Sequence, residues 1–561
     1  MDNILLAQEL VSGYNRRHLS SRCAIKVDIM KAFDSVNWRY LFIMMKTMGF
    51  PEKFLLWIRS CLQTAHYSFN INGSLCGFFR AKKGVRQGDP LSPYLFTIAM
   101  EGLSTLLREA SLSGRVPFHP QCRRVALNHL CFADDLLIFT KGSAQAIVQV
   151  KAVLQHFYRV SGLNCNPTKC EIYFGGESVL YKSNALALSG FQEGKLPVRY
   201  LGLPLLAGKL SSSEIDILVD KITKRIRSWR AKKLTYAGRL QLLNFVILGI
   251  VQYWMQLFVL PKQALKRIQK ICSQFLWHGT DEGRAKVAWE YISLPKQEGG
   301  LGVKDLGAWN QACSIRLLWL FLMNSGTLWV AWMNEYKCRQ HDLWSFRVQY
   351  NSSWAWRKLL KLRDVISLWM KKQNGKVYWD SKEMMVYSIR RVWETLRNKA
   401  PKVSWYKLVW GRNCPPRFSL IVWLILKKAI ITKDKLQKWG KIRDASCPLC
   451  DLSIESREHL FVHCSYSRCL AEDLRCNLLL HPDWETMVSA MTQVGSTRTR
   501  ERHALLWCLL LTFIWKERCG LIHGVQRRPP AQVADLVRAD LQFIASGNRG
   551  VRDTLVELGY L

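Results

Sequence analysis

Three aspartates stand at positions where they could hold divalent cations. Asp134 and Asp135 are adjacent in a short turn between two apolar segments, and Asp28 closes the predicted strand Ala24–Ile29. Adjacent carboxylates repel each other unless a cation lies between them, so the pair is a candidate metal site, although such a pair taken alone is usually just a turn. The alternative is that the pair is an ordinary polar turn and that Asp28 is a helix N-cap or a solvated strand end. Asp28 can share a metal with the pair only if their strands are neighbours.

A loop rich in glycine and proline, Gly84–Pro93, is a candidate nucleotide-binding segment. Its glycines would let the backbone approach a nucleotide, and Gln87 could hydrogen-bond to it, although such a loop alone is weak evidence. Beside three carboxylates, the loop would complete a site for two-metal nucleotidyl transfer. One Mg²⁺ would lower the pKa of an attacking 3′-hydroxyl, and the other would neutralise the triphosphate and the leaving pyrophosphate.

A second set of side chains has the spacing of a structural zinc site. Cys447, Cys450, His459 and Cys464 form the pattern C-x2-C-x8-H-x4-C. Thiolates and an imidazole suit a closed tetrahedral zinc site. The alternative is a redox C-x-x-C pair, which would need a thioredoxin-like βαβ context and would leave His459 and Cys464 without a role. The pattern therefore favours zinc.

The elements that must position the aspartates form a mixed α/β core. Asn72-Gly73 lies between two β-like segments and predicts a tight hairpin turn. Apolar periodicity predicts a helix over the first residues, the strand Ala24–Ile29, helices over Ala32–Met48, Pro51–Thr64 and Tyr94–Arg108, and strands over Val125–Phe132 and Leu136–Thr140.

The chain beyond these elements is predicted to be mostly helical. Residues Ser211–His278 combine helical periodicity with basic side chains, namely Lys221, Lys224, Arg225, Arg227, Arg230, Lys232 and Lys233. Beyond Gly299-Gly300 a region that also reads as helical is rich in tryptophan: Trp319, Trp329, Trp332, Trp344, Trp354, Trp356, Trp369 and Trp379. We interpret these tryptophans as packing residues rather than as platforms for base stacking.

The charge of the chain points to a polyanionic partner. Its 561 residues include 81 Lys and Arg against 42 Asp and Glu, a formal net charge of +39. Nucleic acid is the first candidate partner, an anionic membrane surface the second and a ribosome-like structural role the third. The uncharged run Leu242–Leu260 is long enough to span a bilayer, but its polar residues and its end at Pro261 favour a buried helix.

Three segments together resemble motifs A, B and C of non-LTR (LINE-type) retrotransposon reverse transcriptases, especially those of plants. They are Lys26–Trp38, Arg86–Pro93 and Phe132–Asp135, and their order and spacing match that family. Two further segments follow the same order, since Ser161–Lys169 resembles motif D and Tyr200–Gly202 resembles motif E. The residues around the Cys/His set, among them Trp405–Trp410 and Glu458–Phe461, resemble the zinc-binding module that follows plant LINE-type reverse transcriptases.

The resemblance implies a role for each matching residue. Asp28, Asp134 and Asp135 would be the catalytic triad that binds two Mg²⁺ ions, and Phe33 would be the steric gate against a 2′-hydroxyl. Lys169 would donate a proton to the departing pyrophosphate, although a solvated lysine fits its residue type equally well. The remaining assignments are Gln87 and Gly88 to the nucleotide, Tyr200, Leu201 and Gly202 to the primer grip, and Cys447, Cys450, His459 and Cys464 to one Zn²⁺.

The resemblance also implies an α/β palm of a right-hand polymerase, followed by a helical thumb, a helical Trp-rich region and a small zinc-binding module. The domains predicted are a palm with motifs A to E at 1–205, a thumb at 206–280, a Trp-rich connection at 281–400, the zinc-binding module at 401–475 and a helical tail at 476–561. Full-length relatives carry an endonuclease and the fingers before motif A. Only 27 residues precede Asp28, so we expect an N-terminally truncated polymerase with most of its fingers missing.

The function that the resemblance implies is RNA-directed DNA polymerisation onto a primer 3′-hydroxyl. The partners would be an RNA template, a DNA primer and dNTPs, without a membrane, and the location would be nuclear. Two alternatives stay open. One is a catalytically inactive, nucleic-acid-binding remnant of such an element; the other is a splicing factor similar to intron maturases, which the zinc-binding pattern disfavours.

Overall fold

The computed structural model describes residues 1–176, 179–229, 234–338, 342–349, 352–411, 413–474, 481–493, 497–547 and 552. Within them the backbone forms two compact units, whose segments alternate along the chain. The first unit comprises residues 1–216, 254–259 and 311–389, and the second unit comprises residues 217–253, 260–310 and 390–561.

The elements up to residue 205 are α1 (Asp2–Val11), β1 (Arg22–Val27), α2 (Ala32–Ser35), α3 (Trp38–Thr47), α4 (Glu52–Gln63), β2 (His66–Ile71), β3 (Ser74–Arg80), α5 (Ser92–Leu112), β4 (His129–Phe132), β5 (Asp135–Lys141), α6 (Ala144–Ser161), β6 (Glu171–Gly175), α7 (Val179–Ser189), β7 (Gln192–Glu193), β8 (Val198–Tyr200) and β9 (Leu203–Leu205). The mixed α/β core predicted from the sequence is therefore present.

The helices that follow up to residue 366 are α8 (Ser212–Arg227), α9 (Tyr236–Leu242), α10 (Leu248–Met255), α11 (Lys262–His278), α12 (Trp289–Ile292), α13 (Leu306–Leu322), α14 (Leu328–Met333) and α15 (Trp354–Ile366). The remaining elements are β10 (Met370–Gln373), β11 (Lys376–Trp379), β12 (Lys382–Glu383), α16 (Ile389–Leu396), α17 (Tyr406–Val409), α18 (Pro416–Leu426), α19 (Lys433–Lys438), α20 (Ser465–Asp473), α21 (Trp484–Gln493), α22 (Thr497–Ile522) and α23 (Pro530–Ser546).

A five-stranded sheet in the order β4-β5-β1-β6-β7 is the centre of the first unit. Strand β1 pairs antiparallel with both β5 and β6. Its residues Ile25 and Val27 are buried together with Leu136 and Ile138 of β5, and the same core includes Phe96 of α5. Burial of such side chains contributes about 1.5–3 kcal/mol each, and this is what holds the β1–β5 register against slippage.

The helix predicted over Ala32–Met48 is two helices. The first, α2, ends at Ser35, and Val36 is extended. The side chain of Asn37 then accepts hydrogen bonds from the backbone N–H groups of Arg39 and Tyr40, which makes it the N-cap of α3. An asparagine at this position stabilises the start of a new helix more than it stabilises the interior of a longer one.

Two other predicted elements differ at their ends. Strand β1 begins and ends two residues before the predicted Ala24–Ile29, so Asp28 follows the strand instead of lying inside it. Strand β4 covers only the last four residues of the predicted Val125–Phe132, because a 3₁₀ turn occupies Arg123–Val125. The hairpin at Asn72-Gly73 is as predicted, with φ angles of 50° and 88° that match a type I′ turn.

The prediction of an all-helical Trp-rich region is wrong in one place. Residues 370–383 form a three-stranded antiparallel sheet, β10-β11-β12. Its first turn is Asn374-Gly375, with φ angles of 49° and 74°, so the same dipeptide signal that marks the β2–β3 hairpin is present here too. Four tryptophans of the region, Trp329, Trp332, Trp356 and Trp379, are buried, which agrees with the packing role predicted for them.

The uncharged run Leu242–Leu260 is helical without a break as far as Met255. It contains the end of α9, a π-helical turn at Leu243–Ile247 and α10, which ends at Met255. None of the helices among the described residues combines the length and the apolar composition that a membrane span requires. Of the predicted basic residues in this part of the chain, Arg230, Lys232 and Lys233 lie outside the described residues.

Candidate active site and metal centre

The three aspartates lie at one end of two neighbouring strands. In the β1–β5 ladder Val27 pairs with Leu136, so the next position of the same register sets Asp28 opposite Asp135. Phe132 pairs with Asp135 in the β4–β5 hairpin, so Ala133 and Asp134 form its two-residue turn. The neighbour relation that the sequence left open is therefore present, because β1 and β5 are adjacent and antiparallel.

The charges at this end of the sheet repel one another. Burial raises the pKa of Asp135, and the carboxylates of Asp134 and Asp28 raise it further, whereas the ammonium group of Lys26 lowers it. Asp134 is exposed, and Asp28 and Asp135 are half-buried. A cation bound between them would remove the repulsion, which is the electrostatic signature of a metal site.

Lys26 is a residue of the site that the sequence analysis missed. Its Nζ donates a hydrogen bond to the backbone carbonyl of Arg199 at 3.3 Å, and its charge acts on Asp135. The signal was available, because Lys26 and Asp28 are two residues apart and therefore lie on the same face of an extended segment.

The segment predicted to be motif D runs along the extension of β1. The backbone N–H of Asn166 donates to the carbonyl of Asp28 at 2.9 Å, and the N–H of Met30 donates to the carbonyl of Asn164 at 2.8 Å. These bonds fix the backbone of Asp28 from the side opposite to β5. Lys169 lies in the turn that follows and its side chain is exposed.

Phe33 is braced against the loop that carries Gln87. Its ring stacks on Phe96 with the centroids 5.0 Å apart, and its carbonyl accepts a hydrogen bond from the N–H of Val85 at 2.7 Å. Gly84, which has a φ of 84°, approaches so closely that a Cβ there would lie 2.7 Å from the carbonyl oxygen of Asp34. Only glycine therefore allows the loop to pack against the Phe33 segment.

The loop itself is held in shape by Asp89. Its carboxylate accepts hydrogen bonds from the N–H of Leu91 at 2.9 Å and from the Arg86 guanidinium at 3.0 Å. The bond from Leu91, followed by that from Arg86, holds the pKa of Asp89 below its usual value. Gln87 and Gly88 are exposed at the tip of this loop, where a ligand could reach them.

The segment predicted to be motif E is the β8–β9 hairpin, whose turn is Leu201-Gly202 with φ angles of 48° and 80°. Tyr200 is buried, and burial raises the pKa of its phenol, with a further contribution from the charge of Asp135. The hairpin thus lies close to the carboxylates. A leucine in the left-handed region is strained by about 1–2 kcal/mol, and it persists because β8 and β9 pair on both sides of it.

Two residues of helix α1, neither of them a predicted site residue, bond to the segment after the β8–β9 hairpin and to β4. The side chain of Gln8 is buried, donates to the carbonyl of Leu206 at 2.8 Å and accepts from its N–H at 2.9 Å. The amide of Asn3 donates to the carbonyl of Cys131, at 2.9 Å, in the strand that leads to the acidic turn. Neither contact has a local signal, because the Gln8 bonds cross 198 positions and the Asn3 bond crosses 128.

In the second unit, the structure brings together the four side chains predicted to bind zinc. The Sγ atoms of Cys447 and Cys464 are 4.0 Å apart, and Cys450 Sγ lies 3.3 Å from His459 Nε2. All four ligand atoms lie within 4.8 Å of one another. A tetrahedral zinc with ordinary bond lengths would separate two sulfurs by about 3.8 Å and a sulfur from a nitrogen by about 3.5 Å, so the residues fit the ion.

Backbone hydrogen bonds hold the segments that carry the cluster. The N–H of Cys447 donates to the carbonyl of Ser453 at 2.8 Å, and the N–H of Cys464 donates to the carbonyl of His459 at 2.7 Å. Cys447 and Cys464 are fully buried. Burial lowers the pKa of His459, which favours the neutral imidazole that a metal ligand must be.

A buried ion pair anchors the loop between the two halves of the cluster. The carboxylate of Glu455 is 0% exposed and accepts two hydrogen bonds from the guanidinium of Arg518 in α22, at 2.8 and 3.2 Å. The sequence analysis did not identify this pair, because the two residues are 63 positions apart. The cluster is therefore tied to the long helix α22 by charge as well as by packing.

Comparison with known families matches both regions. Residues 3–205 match the family described as reverse transcriptase (RNA-dependent DNA polymerase). This range includes all three aspartates and the β8–β9 hairpin. Residues 387–470 match the family described as zinc-binding in reverse transcriptase, which includes the Cys/His cluster.

The chain is also similar to curated proteins of mobile elements. It is 29% identical over 324 residues to a 149 kDa protein of transposon TX1 from Xenopus laevis, which covers 54% of this chain and 22% of that protein. It is 24% identical over 310 residues to the Pol polyprotein of the type-2 retrotransposable element R2DM from Drosophila melanogaster, covering 53% of this chain and 28% of that protein.

A third relative is a putative ribonuclease H protein of Arabidopsis thaliana, 21% identical over 347 residues, which covers 47% of this chain and 56% of that protein. The chain thus spans between about a fifth and just over half of the length of these relatives.

Proposed function

Because residues 3–205 are a reverse transcriptase domain and residues 387–470 the zinc-binding module found with such domains, we propose that this chain is the RNA-directed DNA polymerase of a non-LTR retrotransposon. The observation that carries the proposal is the register of β1 and β5, which sets Asp28 opposite Asp135 and beside the turn residue Asp134. Three carboxylates at one sheet end are the ligands that two-metal nucleotidyl transfer needs.

In this proposal Asp28, Asp134 and Asp135 hold two Mg²⁺ ions. The ions would supply a lowered pKa for the primer 3′-hydroxyl and charge neutralisation for the triphosphate. The protein positions the carboxylates: one backbone hydrogen bond from Asn166 fixes Asp28, and Lys26 offsets part of the negative charge of Asp135. Lys169, exposed near the same end, is the proposed proton donor to pyrophosphate.

Selection of the nucleotide is assigned to Phe33 and to the Gln87 loop. The stack of Phe33 on the fully buried Phe96 prevents the ring from swinging away, so a 2′-hydroxyl would meet a rigid wall. Gln87 and Gly88 would contact the nucleotide, and Tyr200, Leu201 and Gly202 would grip the primer. The RNA template, the DNA primer and the dNTPs are the proposed partners, and the nucleus is the proposed location.

The remaining parts receive supporting roles. The helices of residues 206–280 would form the thumb, whose basic side chains would contact the template-primer backbone without reading its sequence. Cys447, Cys450, His459 and Cys464 would bind one Zn²⁺ that holds the second unit together. In this proposal the thumb and the zinc-binding module belong to a right-hand polymerase, and the five-stranded sheet of the first unit is its palm.

The proposal is tested by primer extension with the purified chain, an RNA template, a DNA primer, dNTPs and Mg²⁺. The Asp134→Ala, Asp135→Ala double variant should lose extension. The matched control is Asp34→Ala, which removes an exposed carboxylate of the same segment and should keep it. If the unmodified chain gives no extension but binds template-primer in a salt-sensitive manner, the polymerase assignment is wrong and the chain is a nucleic-acid-binding remnant.

A further inference from the structure

A large cavity lies inside the second unit. It has a volume of about 910 Å³ and is lined by the start of α9, the end of α11, α18 and the C-terminal half of α22. We call it the basic pocket. Its volume is in the range of about 300–1,000 Å³ that is typical of ligand sites in proteins, and neither the zinc cluster nor the aspartates contribute to its wall.

The charge of the basic pocket has one sign. Five of its lining residues are arginine or lysine: Arg239, Lys286, Arg417, Lys516 and Arg518. Among the described residues that line it, none is acidic. Arg518 is neutralised by Glu455 behind the wall, and Arg417 lies 3.4 Å from Asp540. The ammonium groups of Lys286 and Lys516 have no salt bridge among the described residues, and they supply positive charge to the pocket.

Two aromatic side chains stand beside these cations. Tyr236 receives a hydrogen bond from Lys286 at 2.7 Å, and the ammonium group also lies 5.0 Å from the centre of its ring. The Arg518 guanidinium lies 4.7 Å from the ring of Trp515. Because Glu455 holds Arg518, the Trp515 ring is supported from one side. Both aromatic residues line the pocket and are half-buried, and the Arg239 guanidinium also lies 5.5 Å from the centre of the Tyr236 ring.

The mouth of the basic pocket is apolar and solvent-accessible. Leu234, Ile431 and Ile522 line it, and each is about two-fifths exposed. A cavity with cations, aromatic faces and an apolar rim suits a ligand that carries both negative charge and flat rings. A nucleotide has this combination, since its phosphate pairs with lysine and its base stacks on an aromatic side chain.

We propose that the basic pocket binds one or two unstacked nucleotides of single-stranded RNA. The proposal rests on the proposed function in one respect, namely that RNA is a partner of the chain. Lys286 and Lys516 contact the phosphates, and Tyr236 and Trp515 stack with the bases. An acidic peptide would pair with the lysines but has no base to stack on Tyr236 and Trp515, so RNA is the occupant that uses both features.

The test measures binding of a fluorescein-labelled eight-nucleotide oligouridylate to the full chain by fluorescence anisotropy at several salt concentrations. The Lys286→Gln, Lys516→Gln double variant should bind at least about tenfold more weakly, and the slope of log K against log salt should fall by about 1.4, since each single-strand phosphate contact contributes about 0.7. Trp515→Leu should weaken binding by about tenfold without changing the slope, because stacking is not ionic.

The matched control is Lys438→Gln, Lys441→Gln, which removes the same charge from two exposed lysines outside the pocket. It should bind as the unmodified chain does. If both double variants lose affinity equally, only the overall charge matters and the pocket proposal is overturned. Thermal unfolding followed by circular dichroism verifies that each variant is folded. If Trp515→Leu does not fold, Tyr236→Leu serves as a second aromatic variant.

Photo-crosslinking with a 4-thiouridine oligomer locates the contact. Crosslinks to peptides that contain Tyr236 or Trp515 support the proposal, and crosslinks only elsewhere overturn it. An oligothymidylate of the same length that binds more tightly would assign the pocket to DNA instead, and displacement by polyglutamate but not by RNA would assign it to an acidic peptide. The binding assay contains no primer and no dNTPs, so its outcome is independent of primer extension. Loss of the pocket proposal and loss of the polymerase proposal can therefore be told apart.

Discussion

The two candidate metal sites of this chain differ in what surrounds them. The carboxylates lie at the open end of the sheet, where Asp134 is exposed and the strands behind it are held by an apolar core. The Cys/His cluster is closed, since Cys447 and Cys464 are fully buried in a segment of short turns. We therefore expect the first site to keep its shape without ions and the second to depend on its ion for stability.

Under the proposed function, this difference assigns turnover to the first site and stability to the second. An open site with mutually repelling carboxylates gains from each ion it binds and can release it, as a reaction cycle requires. A closed site with four protein ligands leaves no position for a substrate, and its binding energy becomes folding energy. Substitutions in the first region should therefore change activity, and substitutions in the second should change stability.

The largest effect is expected from Cys464→Ser. The variant should lose the bound zinc and the cooperative unfolding of the second unit, because structural zinc contributes about 10–16 kcal/mol in small modules. Metal content by mass spectrometry and unfolding by circular dichroism measure both losses. Cys469→Ser is the matched control, since Cys469 is an exposed cysteine in the helix that follows. A stable Cys464→Ser variant would contradict the closed-site interpretation.

Next in size is Asp135→Asn. Primer extension should fall at least about 100-fold, which corresponds to roughly 3 kcal/mol of lost transition-state stabilisation. The melting temperature of the metal-free chain should not fall, because the substitution removes a carboxylate whose pKa is raised by burial and by Asp134 and Asp28. If Asp135→Asn keeps full activity but loses stability, the carboxylate site serves stability and not turnover, which contradicts the contrast between the two sites.

Arg518→Ala should have an effect of comparable size, on stability instead of activity. It leaves Glu455 buried without its partner, and breaking a buried ion pair in this way typically costs about 3–5 kcal/mol. Chemical denaturation of the zinc-loaded chain measures the loss. The Glu455→Gln, Arg518→Met double variant should recover part of it, since both charges are then removed. If Arg518→Ala is neutral, the metal alone holds this region.

The smallest effect is expected from Asp281→Asn, a baseline for charge on the surface of the second unit. Asp281 pairs with Arg227 at 2.7 Å, but the arginine is 66% exposed, so the loss should be below about 1 kcal/mol. The hydrogen bond from Arg227 lowers the pKa of Asp281. The pair therefore stabilises above the ordinary pKa of aspartate, and this contribution disappears as the pH falls through the lowered pKa. Denaturant titrations at neutral and at acidic pH show whether the difference vanishes in acid.

Much of both sites could be predicted from sequence because their signals are local. Cys447, Cys450, His459 and Cys464 lie within a short segment, and loop closure over so few residues leaves little choice of partner. The Asn72-Gly73 hairpin is equally local, since two residues with positive φ define its turn. Asn374-Gly375 carries the same hairpin signal, although it lies in a region predicted to be helical.

Helix caps and short strands were the weaker predictions. The break at Asn37 depends on a side chain that bonds to the backbone two and three residues later, and its apolar neighbours hide it in a periodicity analysis. The observed ends of β1 and the start of β4 differ from the predicted ones by two to four residues. Pairing with β5, and not composition, sets where these strands begin and end.

The sequence by itself determined the inventory: the aspartates, the zinc ligands, the positive charge and the order of the motifs. The tertiary structure decided which of them meet. That Asp28 faces Asp135 follows from the pairing of strands more than 100 residues apart, and the contacts of Gln8, Arg518 and the basic pocket likewise join distant segments. Such contacts leave no local pattern, because they form only when apolar burial has chosen one strand order and one helix packing out of many.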